Sequence, residues 1–421
     1  MRNSLKLTPM QDLEFENKRV LLRLDINSPI DSKTKKIVND NRIQKSIPTL
    51  NYLIDQNSKI AIIAHQGDTL DYHNLIPLKE HAEKLTKLLN RNVKYIDDVC
   101  GPGARDAIKN LKNGELIILG NVRYLCEEIS TFEDTVKLTP KEMLNTYIVR
   151  NLAPLFDVYV NDAFAAAHRN APSIVAFQEL LPAAAGDLLF KEMETLTKIK
   201  NKPAKPSVFV LGGAKISDAF SMMKQVLENG SADKILTSGI TGEIFLLAKG
   251  ISIGEKKMKF IKDRSLDLFI EPAKEYLNDY SDKIEIPVDL AFEKDGKREE
   301  IEINTLPVNE MFMDIGNNTI DNYRKIINGA KTIFVNGPAG VYENKIFENG
   351  TKEIWETVAT AEGYSVIGGG DTVTAAEKYI DLENINYVCT AGGAMVRFLS
   401  GKKLALIAAM EKAYNKRKDF K

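Results

Sequence analysis

Val208-Phe209-Val210-Leu211-Gly212-Gly213-Ala214-Lys215 is the stretch that decides the fold of this 421-residue chain. Four apolar residues make a short strand, two glycines break it, and 218–228 has a helical pattern that Asn229-Gly230 stops. The same order of strand, turn and helix recurs along the chain. Apolar or β-branched runs lie at 19–25, 60–64, 116–119 and 158–160, and again at 208–211, 235–237, 332–335, 365–367 and Tyr387–Cys389. Such alternation predicts parallel sheets with helices on both faces, the doubly wound α/β architecture. Eleven or so strands are too many for one open sheet, so they divide between two domains. The division has a marker: a charged helical stretch at 191–200, then Asn201-Lys202-Pro203-Ala204-Lys205-Pro206, whose prolines break it. The polar, basic 413–421 reads as a frayed helix end.

Composition narrows the function classes. With 57 basic and 58 acidic side chains the net charge is −1, which excludes the footprint of a dedicated nucleic-acid binder. Cys100, Cys126 and Cys389 show no CxxC spacing, so neither a disulfide framework nor a zinc cage is expected. His65, His73, His81 and His168 form no HExxH pattern. No apolar run approaches a membrane span, and the first residues lack the features of a secretory signal. A cytoplasmic protein is the expectation.

Glycine turns after strands carry the chemistry of the second half. At Gly212-Gly213-Ala214-Lys215, glycines let backbone N–H groups approach an anion, and Lys215 adds a mobile charge. A strand-to-helix turn with no ligand fits that stretch as well, and no Walker A pattern occurs in the chain. Gly368-Gly369-Gly370-Asp371-Thr372 is sharper, because three glycines are costly unless something must come close. Asp371 could reach a magnesium ion there, or Asp371 and Thr372 could simply cap a helix. In Asn336-Gly337-Pro338-Ala339-Gly340-Val341-Tyr342-Glu343, Asn336 could donate to a phosphate and Glu343 accept from a ribose hydroxyl; a tight turn explains the glycine and proline too. Cys389-Thr390-Ala391-Gly392-Gly393 repeats the theme. Four such loops at strand ends in one half point to a nucleotide site.

The first half is different. In Arg23-Leu24-Asp25-Ile26-Asn27-Ser28-Pro29, alternation puts Arg23, Asp25 and Asn27 on one face. Arg42, His65, Arg123 and Arg169 fall in or beside turns after strands, and the guanidinium fork suits carboxylate or phosphate. Each arginine alone is as well explained as a solvated surface charge.

Together these residues resemble the phosphoglycerate kinase family. The Arg23 to Pro29 string, Asn161-Asp162-Ala163-Phe164 with Ala167-His168-Arg169, Leu211 to Lys215, Asn336 to Glu343 and Gly368 to Thr372 are similar to its motifs in order and spacing. The stretch 237–250 resembles the archaeal-type branch. The resemblance implies two Rossmann-like parallel α/β domains joined by a hinge helix. The expected limits are an acceptor domain at 1–188, a helix and hinge at 189–206, a nucleotide domain at 207–395, and a segment 396–421 returning to the first domain. It implies reversible, magnesium-dependent phosphoryl transfer between ATP and the carboxylate of 3-phosphoglycerate, in a cytoplasmic monomer whose partners are ATP or ADP and the acceptor. Carried over residue by residue, Asp25, Asn27 and Arg42 would hold the carboxylate end, and His65, Arg123 and Arg169 the 3-phosphate. Arg42, Lys215 and the Gly369 and Gly370 amides would steady the transferring group. Gly213, Ala214, Asn336, Pro338, Glu343 and Thr372 would line the nucleotide, and Asp371 would hold Mg2+.

Four positions depart from the family's pattern. After His65, where the family commonly has G-R-P, the run is Gln66-Gly67-Asp68-Thr69; Gly120 replaces a glutamate, Ala219 a second lysine, and Ala391 a glycine. Asp68 reverses a charge beside the expected phosphate, so a relative using another carboxylate acceptor is the second reading. A nucleotide-binding relative without turnover is the third.

Overall fold

The computed structural model describes residues 5–67 and 72–419. Contacts divide the chain into two units, Met1–Glu194 with Lys403–Lys421, and Thr195–Lys402. In the first unit β1 (Arg19–Arg23), β2 (Lys59–Ile63), β3 (Val93–Tyr95), β4 (Leu116–Ile118), β5 (Val158–Asn161) and β6 (Ala183–Ala185) form one parallel sheet, in the spatial order β3-β4-β2-β1-β5-β6. Val20, Leu22, Leu24 and Ile26 enter one core with Ile60 and Ile62. Leu21 and Ala61, their neighbours in sequence, are buried as well. Strands covered on both faces need such continuous apolar runs. The chain passes from β1 to β2 on one side and places β5 on the other side of β1. The order therefore reverses between β1 and β5, where diverging connections open a crevice at the carboxyl ends of the strands.

The second unit repeats the plan. β7 (Ser207–Leu211), β8 (Lys234–Thr237), β9 (Ile284–Glu285), β13 (Thr332–Asn336), β14 (Tyr364–Gly368) and β15 (Tyr387–Cys389) lie in the order β15-β14-β13-β7-β8-β9, reversing between β7 and β13. All nine runs read from the sequence are strands. The structure adds β3, β6 and β9, and an antiparallel sheet of β10 (Asp289–Lys294), β11 (Lys297–Glu302) and β12 (Phe312–Ile315), ordered β11-β10-β12. A purely parallel second domain is therefore too simple. Asp295 and Gly296, at φ 51° and 75°, make the tight turn of its hairpin.

The helix Asp187–Asn201 contains the point where the two units divide, between Glu194 and Thr195. Its Leu189, Met193, Leu196 and Ile199 are buried, a helical stripe among charged neighbours. The helix Ala405–Asp419 corrects the expectation of a frayed end. Lys412 and Lys416 pair with Glu179 at 2.6 and 2.7 Å, and Arg417 donates to the Asp12 carbonyl, so the chain is anchored on the first unit through Arg417. Among the described residues no helix is long and apolar enough to cross a membrane.

Candidate functional site

In the first unit the strand-end loops bring most of the expected acceptor residues into two groups. His65 follows β2, Arg123 sits in the turn Val122–Tyr124 after β4, and Arg169 follows the turn Phe164–Ala166 after β5. These three line one narrow cleft with Arg23, Glu128 and Ala166. Asp25, Asn27 and Arg42 form the second group. Arg42 Nη1 lies 3.4 Å from Asp25 Oδ1, and Asn27 Oδ1 accepts from Gly67 N at 3.0 Å. Arg42 sits on a short helix, Asn41–Lys45, well beyond β1 rather than in its first turn.

None of the arginines is a plain solvated charge. Arg169 Nε bonds Glu133 at 3.1 Å, and Arg123 donates to the Gly67 carbonyl. Arg23 lies deeper, 2% exposed, its Nε donating to Ser173 Oγ at 3.1 Å. Ser173 in turn donates from both N and Oγ to the Glu128 carboxylate at 2.6 Å. Burial pushes Glu128 up from the ordinary carboxylate range, against the pull of Ser173 and Arg23. Burial, then the charges of Arg23, Arg123, Arg169 and Arg42, hold His65 well below the ordinary imidazole range. His65 is thus a neutral group ringed by cations.

The role of Gln66 was missed in the sequence: it organises these loops. Its side chain exchanges two 2.9 Å hydrogen bonds with the Ser28 backbone and takes a third from His81 Nε2 at 3.0 Å. Its own backbone bonds the Asn121 side chain on both sides. Nothing in the local pattern marks Gln66 except its place after His65. Gly120 is explained by packing, because a Cβ there would lie 3.1–3.2 Å from Asp98 and Val99. Asp68 and Thr69 lie outside the described residues.

In the second unit four glycine turns converge where the strand order reverses. Gly212 N bonds the Asn336 carbonyl at 3.0 Å and Gly213 N the Pro338 carbonyl at 2.8 Å. Both amides are engaged, so Gly213 offers a ligand its backbone surface rather than its N–H. A Cβ on Gly212 would overlap Pro338, and one on Gly337, at φ 91°, would overlap Gly212. These glycines serve loop packing first. Asn336 Nδ2 donates to the Gly368 carbonyl at 2.8 Å, and Thr372 Oγ1 accepts from Gly337 N at 2.9 Å. Asn336 and Thr372 therefore tie the β13 and β14 loops together.

The turn after β14 is different. Gly369, at φ 101°, precedes the helix Gly370–Tyr379, and a Cβ on Gly370 would meet open space. The first intrahelical bond here is Val373 N to Gly369 O, so the N–H groups of Gly370, Asp371 and Thr372 precede the helix ladder. Asp371 does not cap this helix; its carboxylate lies 3.0 Å from Lys215 Nζ. Ala214 and Glu343 are exposed beside these turns, and Pro338 is half-buried. Ala391, at φ −138°, has extended backbone that needs no glycine, whereas a Cβ on Gly392 would come 2.9 Å from Gly369 Cα. Ala219 is buried in the helix Ile216–Glu228.

Fixed cations in one unit, and open helix-start amides beside an exposed lysine in the other, suit polyanionic substrates. Two α/β units so equipped have the character of a phosphotransferase. Comparison with known proteins makes this particular. The family model described as Phosphoglycerate kinase matches residues 10–402. A phosphoglycerate kinase of Methanothermus fervidus is 43% identical over 414 residues, 98% of this chain and 99% of that protein. One of Methanococcus maripaludis is 42% identical over 415 residues, 97% and 99% of the two chains. The crystal structure of the Pyrococcus horikoshii phosphoglycerate kinase superposes with a TM-score of 0.85 at 37% identity, covering 97% of this chain and 100% of that one. The chain belongs to the phosphoglycerate kinase family.

Proposed function

We propose that this protein catalyses reversible phosphoryl transfer between ATP and the carboxylate of 3-phosphoglycerate, with magnesium. The observation that carries the reading is the convergence of His65, Arg123 and Arg169 on one cleft at the reversal point of the first sheet, backed by buried Arg23. Three fixed arginines with a neutral donor suit a dianionic phosphate. Asp25, Asn27 and Arg42 stand on neighbouring loops for the carboxylate end and hydroxyl. A carboxylate is already ionised at neutral pH, so the acceptor needs no general base, and positioning and charge stabilisation remain. Lys215 and the helix-start amides of Gly370 and Asp371 supply positive character for the transferring group.

The donor chemistry of Asp371 fits magnesium: an exposed carboxylate, a hard oxygen donor, beside a glycine turn. Among the described residues no group of three or more acidic, histidine or cysteine side chains could hold a metal alone. A cation shared between Asp371 and the nucleotide phosphates, neutralising their charge, agrees with that. Acceptor residues belong to one unit and nucleotide loops to the other, so turnover would draw on both.

A coupled assay with Mg-ATP and 3-phosphoglycerate tests the reading, with carboxylic acids lacking a phosphate as comparators. Turnover of 3-phosphoglycerate alone is expected. Preference for an acid without a phosphate would refute the assignment of the cleft.

A further inference from the structure

We propose that Arg23 is a positioning residue that fixes the His65 ring in its neutral Nε2–H form, so that Nε2 donates to the acceptor's phosphate. The inference rests on the reading above that the cleft receives that phosphate.

Arg23 Nη2 lies 3.1 Å from His65 Nδ1. A guanidinium only donates and stays charged inside proteins, so Nδ1 must accept. A neutral imidazole with an accepting Nδ1 carries its proton on Nε2, the nitrogen left for a ligand. Arg23 is itself held on every side: it is buried, Nε donates to Ser173 Oγ and Nη1 to the Leu24 carbonyl. Through Ser173 the network reaches Glu128, a counter-charge one side chain away. Fixing a ring by the bond at its other nitrogen is how outer partners orient histidines elsewhere.

The cations around His65 all favour a neutral ring. Arg23 ends β1, Arg42 comes from the helix Asn41–Lys45, Arg123 follows β4 and Arg169 follows β5; their charges oppose an imidazolium, as does burial. Glu128 also lines the cleft, and Asp25 faces Arg42. A charged imidazolium would repel the arginines that must hold the phosphate. A neutral donor of fixed direction adds a hydrogen bond without that repulsion, and its strength does not change between mildly acidic and mildly basic pH.

Long-range 1H–15N spectra of the full-length protein labelled with 15N-histidine read the tautomer directly, with His65→Gln assigning the signal. The Nε2–H pattern is expected, unchanged from pH about 5.5 to about 8. An Nδ1–H pattern, or a titration inside that window, overturns the proposal. The second arm is Arg23→Lys, which keeps the charge but cannot span His65, Ser173 and Leu24 together. Ser173→Ala, which loosens Arg23 from Glu128, takes its place if Arg23→Lys does not fold. In the folded variant a mixture of tautomers is expected. Its KM for 3-phosphoglycerate should rise about tenfold relative to wild type, with kcat changed about threefold or less. Retention of the wild-type tautomer in the folded variant would make Arg23 merely structural and overturn the proposal. If the wild type turns over no 3-phosphoglycerate, the proposed function fails, while the tautomer spectrum still decides this inference.

Discussion

Lys215 Nζ lies 3.0 Å from Asp371 Oδ2, joining two different glycine turns, and each side chain is 73% exposed. An ion pair so open to water contributes about 1 kcal/mol or less and weakens with salt. It is a loose latch. On the proposed function, nucleotide phosphates would compete for the lysine and their cation for the carboxylate, so binding would separate the pair at small cost. The partners then have separable roles.

Lys215→Ala should lower kcat by about 100-fold or more, with KM for ATP changed about threefold or less. The reason is that, on the proposed function, Lys215 would serve charge developing on the transferring group, and such contacts appear in kcat. Because the latch is weak, thermal unfolding should shift by about 2 °C or less. Steady-state kinetics with a melting curve check both halves. An unchanged kcat with a raised KM would move Lys215 from the transferring group to ground-state binding.

Asp371→Asn should act through magnesium. The substitution keeps the shape and removes the charge, so half-saturation of activity by Mg2+ at fixed ATP should rise about tenfold. Circular dichroism should remain that of the wild type, because the side chain is exposed and away from the core. Magnesium titration of activity checks this. A wild-type titration curve would remove Asp371 from the cation's neighbourhood.

The parallel strands other than β3, β6 and β9 were legible because their apolar runs are continuous and end in glycine or polar turns. The antiparallel sheet was not. β11 reads Lys297-Arg298-Glu299-Glu300-Ile301-Glu302, mostly exposed, so it carries no apolar alternation to detect. The Asp295-Gly296 turn was its one available signal. At the site, Lys215, Asp371 and the arginines were legible by type and by their place after strands. The distinction between glycines was not: whether Gly212 and Gly337 serve a ligand or each other depends on how two distant loops pack. The bonding of Arg23 to Ser173 and Glu128 escaped for the same reason, since a buried network closed over 150 residues leaves no local pattern.

Asp162 gives a stability that depends on pH. It is buried, and Oδ1 accepts from Leu189 N at 2.9 Å in the first turn of the helix Asp187–Asn201. Burial raises its carboxyl to about 6, against the helix and hydroxyl bonds that lower it. The folded value lies above the unfolded one, so the native state binds the proton more tightly. Its contribution is full below pH about 4 and is lost as pH rises through about 6. Asp162→Asn keeps an acceptor for Leu189 without the charge. Its stability relative to wild type should therefore be about 1–2 kcal/mol more favourable at pH 8 than at pH 5. Urea unfolding at the two pH values measures the difference; no change between them would mean that Asp162 ionises as an ordinary carboxyl.

Gln66 is where stability and acceptor binding should fail together. Its amide satisfies the Ser28 N–H and carbonyl and receives the His81 Nε2 proton, all in the interior. His81 is neutral there, lowered to about 4 chiefly by burial, so a neutral acceptor is what it needs. Gln66→Ala leaves these groups without partners, and each costs its desolvation, giving a loss of about 2–4 kcal/mol in all. Gln66→Glu is the sharper probe. One oxygen still serves Ser28 N and His81, but the other replaces a donor and faces the Ser28 carbonyl. A buried carboxylate also draws a proton onto His81, whose titration should move up toward the ordinary range. Because Gln66 joins the loop of Asp25 and Asn27 to that of His65, and through Asn121 to that of Arg123, the folded variant should bind 3-phosphoglycerate more weakly. KM is expected to rise about tenfold while kcat falls less, since the residues that meet the transferring group lie elsewhere. Urea unfolding, histidine spectra and steady-state kinetics on this one variant separate the effects. A stability loss of about 0.5 kcal/mol or less would mean that the three loops hold their places without Gln66. A normal KM in a destabilised variant would mean that the loops recover their arrangement once the acceptor binds.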